Sequence, residues 1–99
     1  MRYFLSLAYD GTNYHGWQIQ PNAITVQEII NESIGKIIRQ PVNVVGCGRT
    51  DTGVHASWYV LHFDCEQTIA DTDKFLYHLN AVLSNDIVVY KVISVNESL

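Results

Sequence analysis

The order in which two hydrophobic periods alternate along the chain leaves few folds open to it. Arg2 to Tyr9 alternates, with Tyr3, Leu5 and Leu7 on one side and Phe4 and Ala8 on the other, the period-two pattern of a strand with apolar character on both faces. From Thr25 the period lengthens. Val26, Ile29, Ile30, Ile34, Ile37 and Ile38 recur at helical spacing, Thr25-Val26-Gln27-Glu28 supplies a capping box, and Pro41 stops the pattern. Val42 to Val45 and Ser57 to Phe63 read as strands on either side of a glycine-rich stretch. Asp71 or Thr72 can cap a second helix with Phe75, Leu76, Leu79 and Leu83 on its apolar face. Ser84-Asn85-Asp86 turns the chain into a last strand, Ile87 to Val95.

The order β-α-β-β-α-β predicts an α+β domain of the ferredoxin-like, split β-α-β kind: a four-stranded antiparallel sheet with two helices on one face. The 99 residues suffice for one domain, 1–99, and not for two. Helices on one face leave the other open, yet Phe4, Trp58, Val60, Val88 and Tyr90 are as apolar as Leu5, Tyr59, Leu61, Ile87 and Val89. With the chain stopping just after a strand, the expectation is an excised domain whose open face or edge meets more protein, or else an obligate dimer.

Composition narrows the partners. Hydrophobic residues at 47% and charged residues at 16% exclude a disordered chain. No apolar run approaches the roughly 18 to 20 residues of a membrane span, and Met1 to Tyr9 does not read as a signal peptide, so a cytoplasmic protein without membrane contact is expected. The net charge of −4 argues against a broad nucleic-acid surface, so cationic contacts to an RNA must be local or lie elsewhere. Cys47 and Cys65 read as reduced, mostly buried thiols. His15, Cys47 and His55 lack the spacing of a ligand set, and no metal is expected.

Two loops hold chemistry that the core does not need. GCGRTDTGVHA, residues 46–56, surrounds Asp51 with Arg49, Thr50, Thr52 and His55. Its glycines permit sharp turns and close approach of another backbone or a ligand. An aspartate in such a loop often only caps its own turn, but an arginine, an aspartate and a histidine within seven residues cost conformational freedom without adding core. YDGTNYHGWQIQ, residues 9–20, interleaves Tyr14, His15 and Trp17 with Gln18 and Gln20, which suits stacking on unpaired bases or packing of the loop onto the sheet. His62 and His78 read as structural. Asn80 and Asp86, in LNAVLSNDI, read as capping residues.

YDGTNYHGWQIQ, the helix TVQEIINESI, GCGRTDTGVHA and LNAVLSNDI, in that order, resemble the N-terminal half of a TruA-type tRNA pseudouridine synthase over nearly the whole chain. The resemblance implies isomerisation of uridine to pseudouridine in the anticodon arm of tRNA, with no cofactor, by a homodimer. It matches Asp51 to the family's catalytic aspartate and Arg49 to the basic residue before it. His55 matches the motif's histidine and is expected to orient the loop, Thr50 and Thr52 are expected to hold the turn by hydrogen bonds, and Tyr14, His15, Trp17 and Gln18, which match the family's second block, are candidates for RNA contact or loop support. A carboxylate suits the chemistry as nucleophile or as base, and the target base has to leave its stack. Where this chain has Ser84 or Asn85 the family usually has proline, which implies a less rigid turn. The family's second half, with a tyrosine that contacts uracil and further basic residues, has no counterpart in this sequence. The residues alone also fit a ferredoxin-like module that binds RNA or protein without chemistry. A hydrolase using Asp51 would want a second carboxylate that no spacing supplies.

Overall fold

The structure is a computed structural model and describes residues 1–14, 16, 24–46, 56–66 and 68–95. Strand β1 (Arg2–Tyr9), helix α1 (Val26–Ile38), strands β2 (Val45–Gly46) and β3 (Ala56–Asp64), helix α2 (Thr72–Val82) and strand β4 (Ile87–Val95) follow in the expected order. The sheet runs β2-β3-β1-β4, and each neighbouring pair is antiparallel. The α+β, split β-α-β arrangement is therefore the one the periodicities predict.

Burial sorts the two faces as the alternation requires. Tyr3, Leu5, Leu7 and Tyr9 point into a core shared with Tyr59, Leu61 and Phe63 of β3, Ile87 and Val89 of β4, and Val26, Ile30, Ile34, Phe75 and Leu79 of the helices. Each such side chain is worth about 1.5–3 kcal/mol in transfer free energy, so a one-residue slip of β1 would turn its whole apolar set away from the helices. On the opposite face Trp58 is 65% and Tyr90 51% exposed. A bulge in β4 leaves Tyr90 as the extra residue between Lys91, opposite Ser6, and Val89, opposite Leu7. The register of β3 also shifts between Leu7 and Tyr9. The Trp58 and Tyr90 rings stack with centroids 6.4 Å apart and planes 14° apart, across the intervening β1.

The helices begin where the caps predict. Thr25 Oγ1 accepts from the Glu28 N–H at 3.5 Å, and Asp71 Oδ1 from the Lys74 N–H at 3.0 Å. Helix α1 ends at Arg39, whose φ of 60° and ψ of 39° are left-handed, and Pro41 follows two residues later.

Strand β2 is shorter than Val42 to Val45, the span its β-branched residues suggest. Val44 is fully buried, but its N–H goes to Asn31 Oδ1 at 2.8 Å and its carbonyl accepts from Gln27 Nε2 at 2.7 Å. Two amide side chains of α1 thus take up the backbone groups that a ladder would use. We predict that Asn31→Ala, which strands the buried Val44 N–H, lowers unfolding free energy by about 1–3 kcal/mol. Asn31→Asp, which keeps an acceptor, should lose less; thermal melts of the two variants check the difference.

Candidate active site at one end of the sheet

Tyr9, the last residue of β1, pairs with Ala56 on one side and Ile87 on the other. Three chain ends therefore share one end of the sheet: the chain leaving β1 at Asp10, the chain entering β3 at Ala56, and the turn into β4. The start of α1 is tied to the same end, because the Val26 N–H donates to the Gly16 carbonyl at 3.2 Å. Gly16 has a φ of 85°, a conformation glycine adopts without steric cost.

The first connection is held by short-range bonds. Asp10 Oδ1 accepts from the Thr12 N–H at 3.0 Å and from its hydroxyl at 2.6 Å, an Asx motif that closes a 3-10 turn over Gly11–Asn13. The Tyr14 N–H then donates to the Gly11 carbonyl at 3.0 Å. A second set of bonds locks this turn to the one before β4. The Asp10 N–H donates to the Asp86 carbonyl at 2.8 Å. The Tyr14 hydroxyl donates to Asp86 Oδ1 at 2.6 Å and lies 3.0 Å from Ser84 Oγ. The Ser84 hydroxyl donates to the same Oδ1 at 2.9 Å, and Asn13 Nδ2 reaches Oδ2 at 3.4 Å.

Electrostatics follow from these contacts. Burial, then the neighbouring Asp86 carboxylate, pushes the Tyr14 phenol above its ordinary value. Partial burial would raise Asp86, but the donors from Tyr14, Ser84 and Asn13 outweigh it and hold the carboxyl below the usual carboxylate range. Asp86 is therefore ionised at neutral pH and fully engaged with protein donors. The turn from Ser84 to Asp86 is secured by these hydrogen bonds. Asn80 does not cap: its amide donates to the Val89 carbonyl and accepts from the Val89 N–H, both at 2.9 Å, covering the outer side of β4 from α2.

Of the candidate site residues, Tyr14 is buried, with its ring in the core and its hydroxyl on Asp86. Arg49, Thr50, Asp51 and His55, and likewise His15, Trp17 and Gln18, lie outside the described residues. Cys65 is a buried free thiol accepting from Gln40 Nε2 at 3.3 Å; Cys47 also lies outside the described residues. Sequence reading missed the Tyr14–Ser84–Asp86 set as a unit, because a partnership across 72 positions leaves no mark in local spacing. His62 rings against Phe4 at 5.4 Å, and His78 is exposed on α2. Among the described residues no group of three or more histidine, cysteine or acidic side chains is arranged to hold a metal ion.

The α+β scaffold thus brings the exit of β1 and the entries to β3 and β4 to one end of the sheet, and Gly48-Arg49-Thr50-Asp51 falls in the sequence between β2 and β3. The family model for tRNA pseudouridine synthase matches residues 6–99, and the chain belongs to that family. It is 55% identical to tRNA pseudouridine synthase A of Bacteroides fragilis over 91 residues, covering 92% of this chain and 36% of that protein. It is 50% identical to the protein of the same name from Parabacteroides distasonis over 94 residues, 95% of this chain and 37% of that protein. With the Ruminiclostridium cellulolyticum protein it shares 53% over 85 residues, 86% of this chain and 34% of that one. The chain thus spans little more than a third of the length of the curated relatives it matches.

The Asp86 linkage has a definite sign. Because the folded-state carboxyl titrates below its unfolded value, its stabilisation is complete above the ordinary carboxylate range and is lost as pH falls through the folded-state value. Tyr14→Phe removes one charge-assisted bond and is predicted to cost about 1.5–3 kcal/mol near pH 7. The gap between variant and parent should narrow below about pH 4, as measured by denaturant titration at a series of pH values.

Proposed function

We propose that this chain is the N-terminal, aspartate-bearing part of a tRNA pseudouridine synthase that isomerises uridine in the anticodon arm of tRNA. The observation that carries the reading is the match of residues 6–99 to the family, with Gly48-Arg49-Thr50-Asp51 inside it. The convergence of the flanking connections on one end of the sheet supports it.

In this reading the Asp51 carboxylate acts beside the ribose, as nucleophile or as base. The N1 to C1′ bond breaks, the uracil rotates while held, and C5 joins C1′; the hydrogen on C5 is released and N1 takes up a proton, so the reaction is an isomerisation that needs no cofactor or metal. Arg49, whose planar guanidinium reaches phosphate as well as carboxylate, pairs with Asp51 or contacts the flipped-out nucleotide. Thr50 and His55 hold the loop, and His15, Trp17 and Gln18 contact the RNA or brace the cleft. Tyr14 serves by anchoring the 10–14 turn. The complete enzyme is a cytoplasmic homodimer whose second half supplies the other wall of the cleft.

Release of tritium from tRNA labelled at uridine C5 reports the step directly. The full-length protein should release it, and full-length Asp51→Asn should not, while keeping the parental melting temperature and tRNA affinity, because an amide cannot act as nucleophile or base. Near-parental release by the variant would remove Asp51 from the mechanism. The 1–99 chain alone is expected to release little or none, and appreciable turnover by it would show that the second wall is dispensable.

A further inference from the structure

Toward the C-terminal end of α1, its last turn, residues 68–70 and the first turns of α2 line an open hollow of about 510 Å³. Ile69 and Phe75 are among its apolar lining residues, and Arg39, Lys74 and His78 bring nitrogen donors to it. The 13 residues of α1 separate it from the site end by about 20 Å along the helix.

Three observations single it out. The chain is acidic overall, at −4, with six lysine and arginine residues, and two of the six line this one hollow. Among the described residues Arg2 is committed to Asp64 at 2.8 Å, whereas Arg39 and Lys74 form no ion pair. Arg39 also occupies a left-handed backbone position, φ 60°, where glycine or asparagine is the favoured residue. An arginine held there gives up backbone stability and gains only what its side chain can do. Asp71 lines the hollow as well, but its Oδ1 accepts from the Lys74 N–H at the helix cap.

From this juxtaposition we infer that the hollow is a second RNA contact, in which Arg39 and Lys74 hold a phosphodiester of the tRNA body, about 20 Å along α1 from the sheet end where that helix begins. The inference rests on the tRNA reading above. A guanidinium and an ammonium at the mouth of an open hollow suit a phosphate, with His78 as a further donor. A chain of net negative charge needs such local cationic points to counter its repulsion from RNA.

The test uses the full-length protein and an unmodified tRNA transcript, with affinity measured over a range of KCl concentrations. The Arg39→Gly, Lys74→Ala double variant should bind more weakly, with a salt slope shallower by about one, for the single phosphate the two cations share. The loss should appear in KM rather than kcat. Arg39→Gly alone should melt at or above the parental temperature, since glycine suits the backbone there, and still bind tRNA more weakly; Arg39→Lys should restore much of the affinity. If the double variant keeps the parental KM and salt slope while the parent isomerises tRNA, the hollow is not an RNA contact and the functional reading stands. If the full-length parent neither binds tRNA nor forms pseudouridine, the functional reading itself fails.

Discussion

Pairing of one strand on both sides governs the rest of this structure. β1 lies between β3 and β4, and its last residue, Tyr9, is matched to Ala56 and Ile87. The chain leaves β1 and enters β3 and β4 at that level. The carboxylate of Asp86 strengthens the junction: it gathers donors from Tyr14, Ser84 and Asn13, while its backbone carbonyl receives the Asp10 N–H. A buried phenol and a carboxylate with its donors supplied form a satisfied polar network, which favours one arrangement of the two turns over the alternatives.

The same logic appears in the amide side chains. Gln27 and Asn31 serve the backbone of Val44, and Asn80 serves both backbone groups of Val89. Helix residues thus complete hydrogen bonding at places where the four-stranded sheet has no neighbouring strand. That limits the exposed edge, which would otherwise invite pairing with another chain. The open face is managed differently: Trp58 and Tyr90 stack on each other, which shields part of each ring from water without covering the face.

Elements with a strong period were legible from the chain alone. The capping threonine and the isoleucine stripe gave α1 its start and its buried face, and the alternation in β1 separated Tyr3, Leu5 and Leu7 from Phe4 and Ala8 as burial confirms. The candidate site was legible as residue types and as family resemblance, and Tyr14 is the member of it whose surroundings the structure describes. The short β2, the role of Asn80 and the partnership of Tyr14 with Asp86 were not legible. Each depends on groups brought together from separate parts of the chain, and periodicity carries no information about which polar side chain will meet which backbone group.

The sequence by itself determined the element order, the faces that seek the core and the family to which the chain belongs, because local hydrophobic spacing and contiguous motifs are properties of neighbours. Tertiary structure alone decided that Asp86 would bind the turn around Tyr14, that Val44 would leave the ladder for α1, and that Arg39 and Lys74 would share one hollow. The physical reason is that hydrogen-bond satisfaction and charge proximity act across space at a few ångströms, and folding alone sets those distances.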